Sequence, residues 1–181
     1  MGNRAFGDRL PRRARPLAAF CTLLSPFTPM LFMGEEWGEN APFQFFTDHI
    51  DKRIAKATRE GRRKEFAEFA EFAGEEVPDP QSPETFERSK LTRREDRRLA
   101  ALYRELFELR GQLPDIPVDV VHDERGRWLR VRRGPFELAM NFAARSREVP
   151  VGGGEIVLAT HEATLGDGHL RLPARAGAVV R

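Results

Sequence analysis

The 181-residue chain has one cysteine, four histidines and no excess of either charge, since 30 basic side chains stand against 28 acidic ones for a net charge of +2. Each shortage removes a class of protein. Cys21 has no partner for a disulfide and sits in an apolar segment, so it reads as a small core residue in a reducing compartment, and a cytoplasmic location is expected. The histidines are scattered, and no metal spacing, phosphate loop or Ser-His-Asp arrangement occurs, so neither a metal nor a cofactor is expected. Near-balanced charge argues against a nucleic-acid binder, which would carry a basic surplus. No stretch is long enough to span a membrane, and no internal repeat is present. Neither a nucleic acid nor a membrane is an expected partner.

The arginines at 4, 9, 12, 13 and 15 precede an apolar segment, Leu17–Leu24, in the manner of a secretory leader. Pro26 and Pro29 interrupt the apolar region and no small-residue cleavage site follows, so no leader is expected. Phe6 stands where N-myristoylation requires Ser or Thr.

What the chain does have is a concentrated stretch from Thr28 to Asp51. An apolar run, Met30–Met33, lies between Pro29 and Gly34 and suits a buried strand, with a buried helical turn as the alternative that periodicity leaves open. Glu35, Glu36 and Trp37 follow, then Phe43, Phe45 and Phe46, then Asp48, His49 and Asp51. A buried strand ending in acids, aromatics and a histidine is how a (β/α)8 barrel presents its working face.

Around this stretch, residues 1–15 read as a loop and Leu17–Leu24 as a short helix stopped by Ser25-Pro26. An amphipathic helix is expected over about 52–72, with Ile54, Ala57, Phe66, Phe69 and Phe72 on one stripe. Its basic cluster of Arg59, Arg62, Arg63 and Lys64 reads as a solvated face, with sugar or phosphate contact as the alternative. Residues 74–92, with prolines at 78, 80 and 83, read as a loop anchored by Phe86 and Leu91. A further helix is expected over 94–110, stopped by Gly111. Beyond Pro117 six or seven short β-prone runs alternate with glycine-rich turns, the pattern of a small antiparallel β-sandwich. The expected fold is therefore α/β followed by all-β, divided into 1–112 and 113–181.

The segments GNRAFGDRL (2–10), LLSPFTPMLFMGEEWG (23–38), PFQFFTDH (42–49), EGRRKEF (60–66) and VPDPQSPETFERSKL (77–91) together resemble the malto-oligosyltrehalose trehalohydrolases, in the α-amylase clan of glycoside hydrolases. The resemblance is specific to about residue 110 and continues weakly through the tail, which is similar to the family's small C-terminal domain. It implies the final strand and helices of a (β/α)8 catalytic barrel, then a β-sandwich. It also implies a retaining hydrolase that cuts the α-1,4 bond beside the terminal trehalose of a maltooligosaccharide and releases trehalose, as in trehalose biosynthesis.

Retention requires two carboxyl groups about 5 Å apart across the bond. In relatives a third acid lies in an Asn-His-Asp-Gln segment immediately before the Gly-Asn-Arg matched by Gly2, Asn3 and Arg4, where this chain has Met1. No catalytic residue is therefore assigned, and the chain alone is expected to be inactive. Glu35 and Glu36, adjacent on a strand, would point to opposite faces and flank one bond poorly. Asn3, Arg4, Glu35, Glu36, Trp37, Phe45, Asp48 and His49 are the candidate contacts to a maltooligosaccharide. Rim ion pairing for the glutamates, barrel closure for Trp37 and Phe45, and a loop-stabilising turn for Asp48 and His49 stand as alternatives. The rival function is a non-catalytic carbohydrate-binding module centred on the tail and Trp128; a core place for Trp128 is the plainer reading.

Overall fold

The computed structural model describes residues 10–67 and 77–181. They form two compact units: one drawn from Glu39–Arg94, the other from Leu10–Gly38 and Glu95–Arg181.

In the larger unit, α1 spans Arg15–Leu24, with Pro16 in the first turn, where its missing N–H is not needed. Helix α4 spans Arg97–Arg110, and the Asp96 carboxylate caps it by accepting the N–H groups of Arg98 and Leu99, both at 3.1 Å. Leu17, Phe20, Leu23 and Leu24 of α1 meet Leu99, Leu102, Tyr103, Leu106 and Leu109 of α4 in one apolar cluster. The helices run parallel. At their starts the Arg15 guanidinium donates to the Gly38 carbonyl at 3.2 Å, and Gly38 lies against Leu99. At their ends Arg110 bonds the carbonyls of Leu23, Ser25 and Phe27. Buried Arg133 adds bonds to Leu24 and Pro114, so two guanidinium groups satisfy carbonyls that the end of α1 leaves open.

The tail strands are β1 (Asp119–Asp123), β2 (Trp128–Arg133), β3 (Phe136–Asn141), β4 (Arg147–Pro150), β5 (Ile156–Ala159), β6 (Thr164–Gly166), β7 (His169–Leu172) and β8 (Ala176–Val180). They make two antiparallel sheets, ordered β1-β2-β3-β8-β5 and β4-β7-β6. The central strands β3 and β8 are buried throughout because each is covered on both faces. Phe136, Leu138, Met140 and Val179 join the helical cluster, while Ala139, Ala176, Ala178 and Val180 meet Val149, Leu170 and Leu172 of the smaller sheet. Gly177 makes the close approach of α1 possible: a Cβ there would stand 3.1 Å from the Phe20 ring.

Four expectations change. Residues 30–33 are not a strand: only Leu31 packs on the helical cluster, Met30 is 89% exposed, and the backbone turns at Phe32, whose carbonyl accepts the Glu35 N–H at 3.0 Å. A strand persists only with a hydrogen-bonded neighbour, and no described strand pairs with this segment. Glu35–Trp37 is accordingly a single 3-10 turn between left-handed Gly34 and Gly38, so opposite-face geometry does not apply to Glu35 and Glu36. The segment expected as loop contains α3, Pro83–Ser89, whose Ser82 cap accepts the Glu84 N–H at 3.2 Å. Finally, β6 is an additional short strand. Helix α2 is described over Lys52–Ala67, and the expected Phe69 and Phe72 lie outside the described residues. No described helix is long and apolar enough to cross a membrane.

Candidate functional site

Three of the sequence segments singled out above, 42–49, 60–66 and 77–91, interlock in the smaller unit. Asp79 organises the join. Its carboxylate accepts Arg59 Nε–H at 2.7 Å and the Gln81 N–H at 3.0 Å, and its carbonyl accepts the Thr85 hydroxyl at 2.7 Å. The Arg59 hydrogen bond holds the Asp79 carboxyl below the usual range, opposed by partial burial.

The loop carrying Phe45, Asp48 and His49 is then laid along this segment. Thr47 N–H donates to the Pro80 carbonyl at 2.8 Å, and the Thr47 hydroxyl accepts the Gln81 side-chain amide. Gln81 in turn accepts the His49 N–H at 3.1 Å, and Gln44 N–H donates to the Ser89 hydroxyl at 3.0 Å. Phe46 stacks edge-on to Phe86 at 5.0 Å and to Phe43 at 6.1 Å. Phe45 remains 48% exposed, and Asp48 and His49 are exposed. Phe45, Asp48 and His49 are thus exposed on a loop whose main chain is tied to residues 80–89.

Glu39, not singled out in the sequence, closes the same unit on itself. It is 4% exposed, and its carboxylate accepts the N–H groups of Asn40 and Ala41 (both 2.9 Å), Thr92 (2.7 Å) and Arg93 (3.2 Å), with the Thr92 hydroxyl at 2.9 Å. Burial pushes this carboxyl up, but the bonds from Ala41, Thr92 and Arg93 outweigh it and hold the group at about 2. Arg59 and Arg62, read as part of a solvated face, instead hold Asp79 and the Phe45 ring. Their signal was a basic pair one helical turn apart, which charge alone does not distinguish from surface.

The larger unit holds Glu35, Glu36 and Trp37. Glu35 is 7% exposed, and its carboxylate accepts the Phe32 N–H at 3.0 Å and the Tyr103 hydroxyl at 3.3 Å. Glu36 accepts the Gly34 N–H at 2.9 Å, and the Trp37 carbonyl accepts the Asp96 N–H at 3.0 Å. Burial, and then the Glu35 charge and hydrogen bond, raise the Tyr103 hydroxyl far above its ordinary value. Asn3 and Arg4 lie outside the described residues.

An apolar groove of about 410 Å3 in this unit, lined by Phe20, Cys21, Val120, Leu129 and Met140 among others, contains none of the sequence candidates. Burial raises the Cys21 thiol to about 12, and the half-buried side chain packs against the helical cluster. Trp128 packs partly buried against the second apolar cluster. No group of three or more His, Cys, Asp or Glu side chains suited to a metal occurs among the described residues.

Residues 116–179 match a sequence family described as a domain of unknown function, DUF3459. The whole chain is 45% identical to malto-oligosyltrehalose trehalohydrolase of Rhizobium sp. (strain M-11) and 42% identical to that of Mycobacterium tuberculosis, covering 33% of each. The chain thus spans about a third of the length of the curated relatives it matches. A Salmonella typhimurium crystal structure assigned to the alpha amylases matches 98% of this chain with 32% of its own, at TM-score 0.78 and 35% identity. An isomaltulose synthase mutant from Erwinia rhapontici NX5 matches 99% of this chain with 41% of its own, at TM-score 0.63 and 16% identity, a likeness of fold alone.

Proposed function

We propose that the chain corresponds to a C-terminal part of malto-oligosyltrehalose trehalohydrolase, a glycoside hydrolase of the alpha-amylase family, and that it serves the release of trehalose from maltooligosyltrehalose without supplying the catalytic acids. Its role is to shape a sugar site through Phe45, Asp48 and His49, while the reacting carboxylates come from sequence other than these 181 residues. The Glu36 carboxylate is taken up by its own turn, while those of Glu35 and Glu39 also tie distant segments together through Tyr103 and through Thr92 and Arg93, which supports a structural role for all three. The observation that carries the reading is the interlock of 42–49 with 77–91, which holds an exposed aromatic and two polar side chains on a fixed backing.

We read residues 1–112 as the end of a (β/α)8 barrel and 113–181 as a β-sandwich. The parallel packing of α1 and α4 supports this reading, because neighbouring parallel helices need a return segment between them, and in a (β/α) repeat that segment is a strand. Leu31 packs on the helical cluster from within that return segment. Residues 30–33 would then become a strand on pairing with further barrel strands. The setting is trehalose biosynthesis in the cytoplasm. Incubating the purified chain with maltooligosyltrehalose tests the assignment. No trehalose is expected; release that is abolished by Glu36→Gln would overturn it and place a catalytic acid in this chain.

A further inference from the structure

Arg62 departs from a surface helix residue in where its guanidinium lies. The group is 4.8 Å from the centroid of the Phe45 ring and 4.6 Å from that of Phe66, and its Nη1 donates to Glu65 Oε2 at 2.6 Å. The side chain is 29% exposed although its helix contains no buried residue. Phe45 itself receives no ring contact from the Phe43–Phe46–Phe86 group that orders the rest of the loop. Its neighbours 44, 47 and 49 are fixed by hydrogen bonds, so its main chain is held, and the Arg62 guanidinium lies over its ring.

From this geometry we infer that Arg62 is a positioning residue for sugar binding: it clasps Phe45 so that the exposed remainder of the ring stands ready to stack on a glucose unit of an α-glucan. The inference rests on the sugar-site reading above. A cation beside an aromatic face is attracted by the ring quadrupole and restricts the ring. A stacking ring that is already ordered loses less freedom when sugar arrives, and ordering one side chain at an interface is worth about three- to tenfold in affinity. Arg62 need not touch the sugar. Its bond to Glu65 and its second ring, Phe66, fix the guanidinium from the helix side. Lysine at this position would keep the charge but lose the planar fork that reaches both rings and the carboxylate.

The test uses the full chain, maltopentaose as the probe, and the ring signals of isotopically labelled phenylalanines followed by NMR. A saturable shift of the Phe45 ring signals is expected. Arg62→Gln should weaken maltopentaose by about three- to tenfold and sharpen the Phe45 signals through faster ring motion, and Arg62→Lys should recover part of the loss. In a Phe45→Leu background Arg62→Gln should have no further effect on affinity, because the coupling runs through that ring. An equal loss in both backgrounds would mean that Arg62 acts only by supporting the fold and would overturn the proposal. Saturable Phe45 shifts with affinity unchanged in Arg62→Gln would overturn the positioning role and leave the sugar site standing. Absence of any Phe45 shift would remove both.

Discussion

Replacing Glu39 by glutamine should open the smaller unit at the place where its two ends meet. In the wild type the carboxyl is lowered from 4.5 to about 2, and a gap of that size is worth about 3 kcal/mol. The folded value lies below the unfolded one, so the contribution is complete above about pH 5 and is lost as pH falls toward 2, at about 1.4 kcal/mol per pH unit in between. Glutamine keeps one acceptor oxygen but turns an N–H2 toward the donors of Thr92 and Arg93, so the effect at pH 6 should approach the full value. Amide hydrogen exchange at Ala41, Thr92 and Arg93 reads this local opening directly. These amides donate the bonds in question to the Glu39 carboxylate. Glu39→Gln should speed their exchange about a hundredfold at pH 6, while the wild type should lose the same protection between pH 5 and 2. Wild-type protection that is flat across that acid range, or a variant within threefold of wild type at pH 6, would refute the reasoning.

Tyr103→Phe leaves the buried Glu35 Oε1 without its hydroxyl donor and should cost about 1–2 kcal/mol in denaturant unfolding of the larger unit. Gly177→Ala drives a methyl to 3.1 Å from the Phe20 ring and should cost about 1–3 kcal/mol, recovered in part by Phe20→Leu, as read from melting temperatures of the three variants. Arg133→Met strips the Leu24 and Pro114 carbonyls of a buried donor and should destabilise by about 2 kcal/mol, measured by the same melts. Burial and the Arg110 charge already lower the Arg133 pKa, so a second loss at Arg110 should be less than additive.

Local pattern decided most of the secondary structure. The stripe of leucines from 99 to 109 with Gly111 after it dictates α4, because periodicity acts over one or two turns, although the start expected at 94 lies at Arg97, behind the Asp96 cap. The alternating runs after Pro117 likewise dictate strands, since a period of two with glycine-rich turns leaves few other folds. Short-range pattern did not reveal α3, where three prolines nearby masked a Ser-Pro-Glu helix start, nor could it decide Met30–Met33, whose pairing depends on chain outside itself.

Which candidate residues do what was settled only by tertiary contacts. Glu35 and Glu36 look alike in the sequence, yet one is buried against Tyr103 and the other returns to Gly34. Glu39 carries no motif, but five donors from sequence positions up to 54 apart converge on it. Arg62 reads as solvated charge until the fold brings the Phe45 ring beside it. Composition and periodicity report the free energy of each segment with water and with itself, so they determine helices, strands and the apolar core. Hydrogen bonds and ring contacts between distant segments depend on chain geometry that no single segment contains, and these decide the roles of individual polar side chains.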